Sequence, residues 1–208
     1  MINNTKDKIL EVAESLFNRY GVRSVSMDDI ARELSISKKT IYQSYKDKDE
    51  LVFTFAQAHI NRNRCEVTEA REKTNNAIEE LVNLSACIRE HVKTVNPSMI
   101  YDLQKYHPKS WSLWMDYKSE YIKGTMLATI ARGKKEGFFR EDLNAEILAT
   151  FRVESIEMTF DGKVFPRDQF DFTEVQMTLF DHFARGMMTI KGQELYDSLI
   201  DAKSYESN

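Results

Sequence analysis

Apolar residues recur three and four positions apart through most of this chain, the period of an amphipathic helix rather than of a strand. The first such stretch covers about Thr5 to Tyr20. It puts Ile9, Ala13, Leu16, Phe17 and Tyr20 on one stripe and Gly21 where a helix C-cap is expected. Two short helices follow. Ser26 and Asp29 form a variant capping box ahead of Met27, Ile30, Ala31 and Leu34. Ser37 caps the next helix, whose Ile41 and Tyr45 share a face. Asp47 with Glu50 then opens a fourth helix, from about Lys48 to Arg71, which carries Leu51 and Phe55 inward before turning polar.

Further along, Thr74 is placed to start a fifth helix with Ile78, Leu81, Val82, Ser85 and Ile88 as its buried stripe. Pro97 interrupts the chain and leaves room for a short helix over roughly Ser98 to Tyr106. Pro108 suits the first turn of one long helix reaching about Glu136, with Gly137 ending it. Two more helices span about Asn144 to Phe160 and Phe172 to Ile190, on either side of the loop DGKVFPRDQFD. The tail keeps some helical pattern in Leu195, Leu199 and Ile200. No strand, repeat or low-complexity segment stands out. The expected fold is all-α, of about nine helices. An N-terminal three-helix domain over 1–50 is joined by the fourth helix to a C-terminal helical domain over 51–208.

The short pair within Ser26–Leu51 is the part that speaks of function. Two helices meeting across a few residues make a helix-turn-helix, whose second helix fits the DNA major groove. Charge sharpens this. The chain carries a net −4, and residues 1–55 hold nine basic and nine acidic side chains, so no bulk basic field draws nucleic acid in. DNA binding has to rest on placement, with Lys38, Lys39, Lys46 and Lys48 flanking the groove-facing helix.

The helices at 144–160 and 172–190 carry a second message. In the latter, Val175, Leu179, Phe183, Gly186 and Ile190 line one face and Met177, Phe180, Ala184 and Met187 another. In the former, Ile147, Phe151 and Met158 stand opposite Ala149, Val153, Ile156 and Phe160. A helix apolar on two faces is buried on two sides. The second side belongs either to another subunit, giving a four-helix interface, or to the interior of its own domain; pattern alone does not separate the two.

Composition excludes other classes. Three Pro and seven Gly argue against a β-rich or disordered chain, and two cysteines, Cys65 and Cys87, give no disulfide framework. The N-terminus has no apolar signal region and no run is long enough to span a bilayer, so a cytoplasmic protein without a membrane partner is expected. There is no glycine-rich phosphate loop and no H-E-x-x-H. The four histidines, His59, His91, His107 and His182, lie far apart. No catalytic residue, metal site or cofactor is expected.

At this point the sequence resembles the TetR family of bacterial transcriptional regulators. The resemblance lies in the first helix ending at Gly21, in Ile30-Ala31, in S-x-x-T-I-Y across Ser37 to Tyr42, in the aromatic Tyr45 and in K-x-E-L at Lys48 to Leu51. It covers about the first quarter of the chain; EGFFREDLNAE and the helix with Gly186 echo it later. It implies an all-α dimer whose DNA-binding head sits on a body that binds a small-molecule effector. Effector binding between the fifth to eighth helices tilts the fourth. Carried over, Lys38, Lys39 and Gln43 face the groove, Thr40 and Tyr42 contact backbone or base edges, and Ser26, Ser37 and Lys48 belong to the same DNA-binding set, Ser26 and Lys48 at phosphates. Members often have Gly where this chain has Ser35, Phe where it has Tyr45, and an aromatic or His where it has Ser44.

Six aromatics crowd residues 101–121, both tryptophans among them. Tyr101, Trp111, Trp114, Tyr117 and Tyr121, with His59, His91, Met99 and Met126, make a candidate effector pocket. Plain core packing accounts for such a stripe equally well. Phe151, Val175, Leu179, Phe183 and Gly186 are the candidate dimer interface. The reading is a ligand-responsive regulator, most simply a repressor, bound as a homodimer to a palindromic double-stranded DNA operator. The alternative is a helical ligand- or partner-binding protein whose helix-turn-helix no longer binds DNA.

Overall fold

The structure is a computed structural model that describes residues 2–206. Among them the regular structure is α-helical: α1 Ile2–Tyr20, α2 Met27–Glu33, α3 Lys38–Ser44, α4 Lys48–Glu72, α5 Ala77–Thr94, α6 Met99–Tyr106, α7 Pro108–Asp116, α8 Lys123–Lys135, α9 Ala145–Phe160, α10 Phe172–Met187 and α11 Ile190–Glu206. A π-helical turn, Tyr117–Ile122, stands between α7 and α8. The only β pairing among these residues is an isolated bridge between Phe139 and Met188.

Several boundaries expected from the sequence shift. The single helix expected over 108–136 is interrupted by the π turn, whose extra residue lets the neighbours Tyr117 and Lys118 both turn inward. The fifth helix starts later than Thr74. Asn76 Oδ1 accepts from the Ile78 and Glu79 N–H groups at its start, while Thr74 Oγ1 donates to the Arg71 carbonyl and closes α4. The helix expected over 172–190 stops at Met187, because Arg140 N–H donates to the Met187 carbonyl at 3.0 Å and Thr189 N–H to the Phe138 carbonyl at 2.9 Å. The chain then resumes as α11, which the tail pattern indicates only weakly.

The chain divides into two compact units. One unit contains the residues up to Arg62 together with Thr94–Asp116; the other contains Asn63–Lys93 and the chain from Tyr117 onward. The break falls inside α4.

In the first unit α1, α2 and α3 pack on one another. Ile9, Ala13, Phe17, Ile30, Ile41, Leu51 and Phe55 are buried there, the Phe17 and Phe55 rings meeting edge-on at 5.4 Å. Tyr20, expected on the inner stripe of α1, is exposed instead. Gly21 ends α1 with φ of 81°, and a side chain there would meet Ser98 Oγ at 2.8 Å, so both conformation and space call for glycine. Residues 94–116 belong to this unit through specific bonds as well. Arg23 N–H donates to the buried Asp102 carboxylate at 3.0 Å, and the buried His107 Nδ1 lies 2.7 Å from Asp49 Oδ1.

The second unit has its own core, in which Ile78, Leu81, Met126, Ile130, Phe139, Phe180, Phe183, Ala184, Met187 and Tyr196 pack together. Two of its buried charges, Glu80 and Lys118, sit in opposed sets. Glu80 receives Arg71 Nε at 2.6 Å, Arg132 Nη1 at 3.2 Å and Thr129 Oγ1 at 2.5 Å. Lys118, on the π turn, donates to Glu157 at 2.5 Å and to Glu154 at 3.3 Å on α9.

Candidate nucleic-acid interface

Local chemistry sets up the helix pair. Ser26 Oγ accepts from Asp29 N–H at 3.2 Å, and the Asp29 carboxylate accepts from Ser26 N–H at 2.9 Å, the reciprocal box expected from the sequence. Such a cap is worth about 1 kcal/mol. These bonds hold the Asp29 carboxyl below its ordinary range. They also engage both polar groups of Ser26. Ser37 caps α3 by accepting from Thr40 N–H at 3.1 Å, and the two hydroxyls pair at 2.8 Å.

Between α2 and α3 the chain turns at Ser35, with φ of 53°; no other described non-glycine residue has positive φ. This is the left-handed position at which the family resemblance implies glycine, and the serine holds it with strain. Ile41 and Tyr45 anchor α3 from below. The Tyr45 ring is buried, its hydroxyl donates to the Lys6 carbonyl at 3.3 Å, and burial raises its pKa to about 12.

The opposite side of α3 faces outward. Lys39 and Gln43 are exposed one helical turn apart, as are Lys38 and Tyr42, the tyrosine 44% accessible. Lys38 is not an independent cation: its Nζ lies 2.9 Å from the Asp28 carboxylate, and that bond raises its pKa. Lys48, expected at a phosphate, is half-buried and donates to the Val22 carbonyl at 2.7 Å and, more weakly, to that of Arg23 at 3.5 Å. Burial lowers its pKa. Lys48 therefore ties the start of α4 to the loop after α1. Lys39, Tyr42 and Gln43 remain the residues turned to solvent without such duties.

The candidate effector residues are split between the units. His59, Met99, Tyr101, Trp111 and Trp114 lie in the first, His91, Tyr117 and Tyr121 in the second. Tyr101 is 52% exposed and receives Lys105 Nζ at 2.9 Å, an outer surface position. Met99 and Met126 are buried. Tyr117 and Tyr121 stack at 5.4 Å with Arg64 against both rings. Tyr117 Oη donates to Asn63, and Tyr121 Oη donates to the Arg64 carbonyl at 3.0 Å. Both tyrosines thus fasten the π turn to the end of α4. His59 is largely buried beside Phe55, and burial, with Arg62 nearby, lowers its pKa to about 4.

At the candidate dimer face, Phe151 on α9 is 55% exposed, and Gly186 on α10 is open, with no neighbouring atom within 4 Å of the place a Cβ would take. Leu179 is half-buried. Val175 and Phe183 are buried within the chain itself, Phe183 behind Phe151 with ring centroids 6.3 Å apart. Ile147 and Met158 extend the exposed apolar stripe of α9.

One residue escaped sequence reasoning. Arg152, set in the run ILATFRVESI, is only 3% exposed. Its guanidinium lies over the Phe180 ring at 5.2 Å and donates to Ser155 Oγ at 3.3 Å. An arginine in the middle of an otherwise apolar stripe was the available signal. Among the described residues no cluster of His, Cys, Asp or Glu is arranged to hold a metal, and no helix is long and apolar enough to cross a membrane.

The head and the helical unit that follows define an all-α transcriptional regulator of the helix-turn-helix type. Residues 9–54 match the family described as bacterial regulatory proteins, tetR family, which places that segment of the chain in the family. It is 24% identical over 165 residues to the uncharacterized HTH-type transcriptional regulator YvaF of Bacillus subtilis, covering 79% of this chain and 86% of that one. It is 20% identical to the HTH-type transcriptional repressor KstR2 of Mycobacterium tuberculosis, over 72% and 76% of the two chains. Among solved structures, a putative transcriptional regulator from Saccharomonospora viridis in complex with choline shares the fold with a TM-score of 0.75 and 22% identity. That match spans 90% of this chain and 99% of that one. Each of these three proteins is named as a transcriptional regulator or repressor.

Proposed function

We propose that this protein is a cytoplasmic repressor that binds a palindromic operator as a homodimer and releases it when a small molecule binds the C-terminal part of the chain. The observation that carries the reading is the outward face of α3. Lys39 suits guanine O6 and N7, Gln43 suits adenine N6 and N7, and Tyr42 presents a hydroxyl for backbone or base-edge contact. Lys38 joins them when its bond to Asp28 gives way. The exposed stripe of Ile147, Phe151 and Met158 on α9, with Leu179 and Gly186 on α10, is the surface for a second copy. Two recognition helices then meet successive major grooves about 34–36 Å apart, or a multiple of that. Small-molecule control is supported by solved neighbours that hold such ligands, choline in one and triclosan in another.

Fluorescence anisotropy with the DNA flanking its own gene tests the reading. Lys39→Ala and Gln43→Ala should each change preference among operator variants by about 1–3 kcal/mol. Tyr42→Ala should weaken all sequences alike. A folded dimer that binds none of this DNA at moderate salt supports the second reading, a ligand- or partner-binding protein, which the Lys38–Asp28 pair and the charge-neutral head favour.

A further inference from the structure

Among the described residues, other buried charged side chains face opposed partners: Glu80 meets Arg71 and Arg132, and Lys118 meets Glu154 and Glu157. Asp102 accepts from the Arg23 N–H and lies in the field of Lys48. Arg152 breaks the pattern. Of its five N–H donors, one reaches Ser155 Oγ, and among the described residues neither a carboxylate nor a carbonyl takes the others. The Phe180 ring offsets part of its charge.

The polar groups along the same α9–α10 seam are already engaged. Ser155 Oγ donates to the Arg152 carbonyl at 2.7 Å. Gln176 Nε2 donates to Thr159 Oγ1 at 2.5 Å, and Thr159 Oγ1 donates to the Ile156 carbonyl at 2.6 Å. Burial alone pulls the Arg152 pKa down, to about 10, with no neighbouring anion to restore it. The guanidinium still stays charged at neutral pH, and a buried charge left without a counterion is strongly destabilising.

We propose that Arg152 is the anchor for the carboxylate of the small-molecule effector. The inference rests on the effector reading above and deepens it. A guanidinium presents paired N–H groups in the plane and spacing of a carboxylate. Charge balance selects the class: one cation neutralises a monoanion, whereas a phosphate monoester dianion needs a second cation, and none adjoins Arg152. The ligand is therefore an organic acid, not a polyanion and not a cation.

Thermal melts of the full-length protein test this, with sodium octanoate, octyl phosphate and 1-octanol as probes at equal concentration. Octanoate should raise the wild-type melting temperature and the other two should not. Arg152→Met, without additive, should melt higher than wild type by roughly 2–4 °C, since an apolar chain of similar length replaces an uncompensated charge. It should also lose the octanoate shift. Arg152→Lys, which keeps the charge but not the fork, should retain only part of it. Absence of an octanoate shift in wild type, an equal shift with octyl phosphate, or a shift that persists in Arg152→Met overturns the assignment. So does an Arg152→Met protein that melts lower or dissociates, which would place a carboxylate of the partner copy on this arginine. Operator binding measured without additive separates the two readings. If wild type binds the operator yet shows no octanoate effect, only the carboxylate inference fails; if it binds no operator, the regulator reading fails with it.

Discussion

The Lys38 ammonium and the Asp28 carboxylate lie 2.9 Å apart, joining the first residue of the recognition helix to the first turn of α2. Both side chains are more than half exposed, so the pair adds little stability. Its effect is on charge: it hides one of the few cations on a face that has no surplus of them.

Asp28→Asn should therefore release Lys38 for DNA. The capping box is formed by Asp29 and should stay intact. The expected result is tighter binding to all sequences at low salt, with a log–log salt slope steeper by about 0.9, the value for one more neutralised phosphate. An unchanged slope in anisotropy titrations would show that Lys38 does not reach the backbone.

Ser35→Gly should stabilise the head. A side chain in the left-handed region costs about 1–2 kcal/mol, and the added freedom of glycine in the unfolded chain returns part of that. A net gain of about 1 kcal/mol corresponds to a rise in melting temperature of roughly 2–4 °C for a chain of this size. Calorimetry showing no rise would mean that the serine side chain contributes an interaction equal to the strain.

Substitutions on α9 and α10 should sort by depth. Phe151→Glu and Gly186→Glu place a carboxylate where the chain itself leaves space, so each should give a folded monomer in sedimentation experiments. Phe183→Glu puts the same charge into the subunit's own core and should cost several kcal/mol of folding free energy, of order 3–5. A folded Gly186→Glu protein that remains dimeric would rule out this face as the interface.

His59 predicts an acid dependence. Its folded pKa, depressed by burial and then by Arg62, is about 4 against an ordinary 6.5. The unfolded chain thus takes up a proton where the folded chain does not. The contribution is fully present above pH 6.5 and is lost as pH falls toward 4, up to roughly 3 kcal/mol. Denaturation midpoints between pH 7 and pH 4 should fall more steeply for wild type than for His59→Gln; parallel curves would contradict the assignment.

The helix-turn-helix was legible because its signals are local. Ser26, Ser37 and Asp47 act on backbone groups within three residues, and the inner faces follow a period the sequence displays. Ser35 was marked only by the resemblance, which implies Gly at that position. What was not legible depends on distant partners. The break after Met187 is made by backbone groups near Phe139, and the π turn at Tyr117 by contacts with α4 and α9. Lys38 and Lys48 show the limit at the site itself. Spacing puts both lysines near the DNA-facing side, but only the fold reveals that Asp28 holds one ammonium and the Val22 carbonyl the other. Arg152 sat in plain view in an apolar run, yet its missing counterion is a property of the packed seam.

Helix α6, with Asp102 bonded to Arg23 and Ser98 pressed against Gly21, has a consequence for ancestry. The polypeptide enters its DNA-reading body twice, first through 2–62 and again through 94–116, with a stretch of the other body in between. Recombination at a single crossover would deliver a head stripped of its second segment, with the Arg23 amide and His107's partner Asp49 left without their mates. Exchange of operator specificity between relatives is thereby restricted to changes small enough to leave the Gly21–Arg23 loop and Asp49 untouched. The outward side of α3 can diversify residue by residue, while the surface that receives α6 has to be inherited whole.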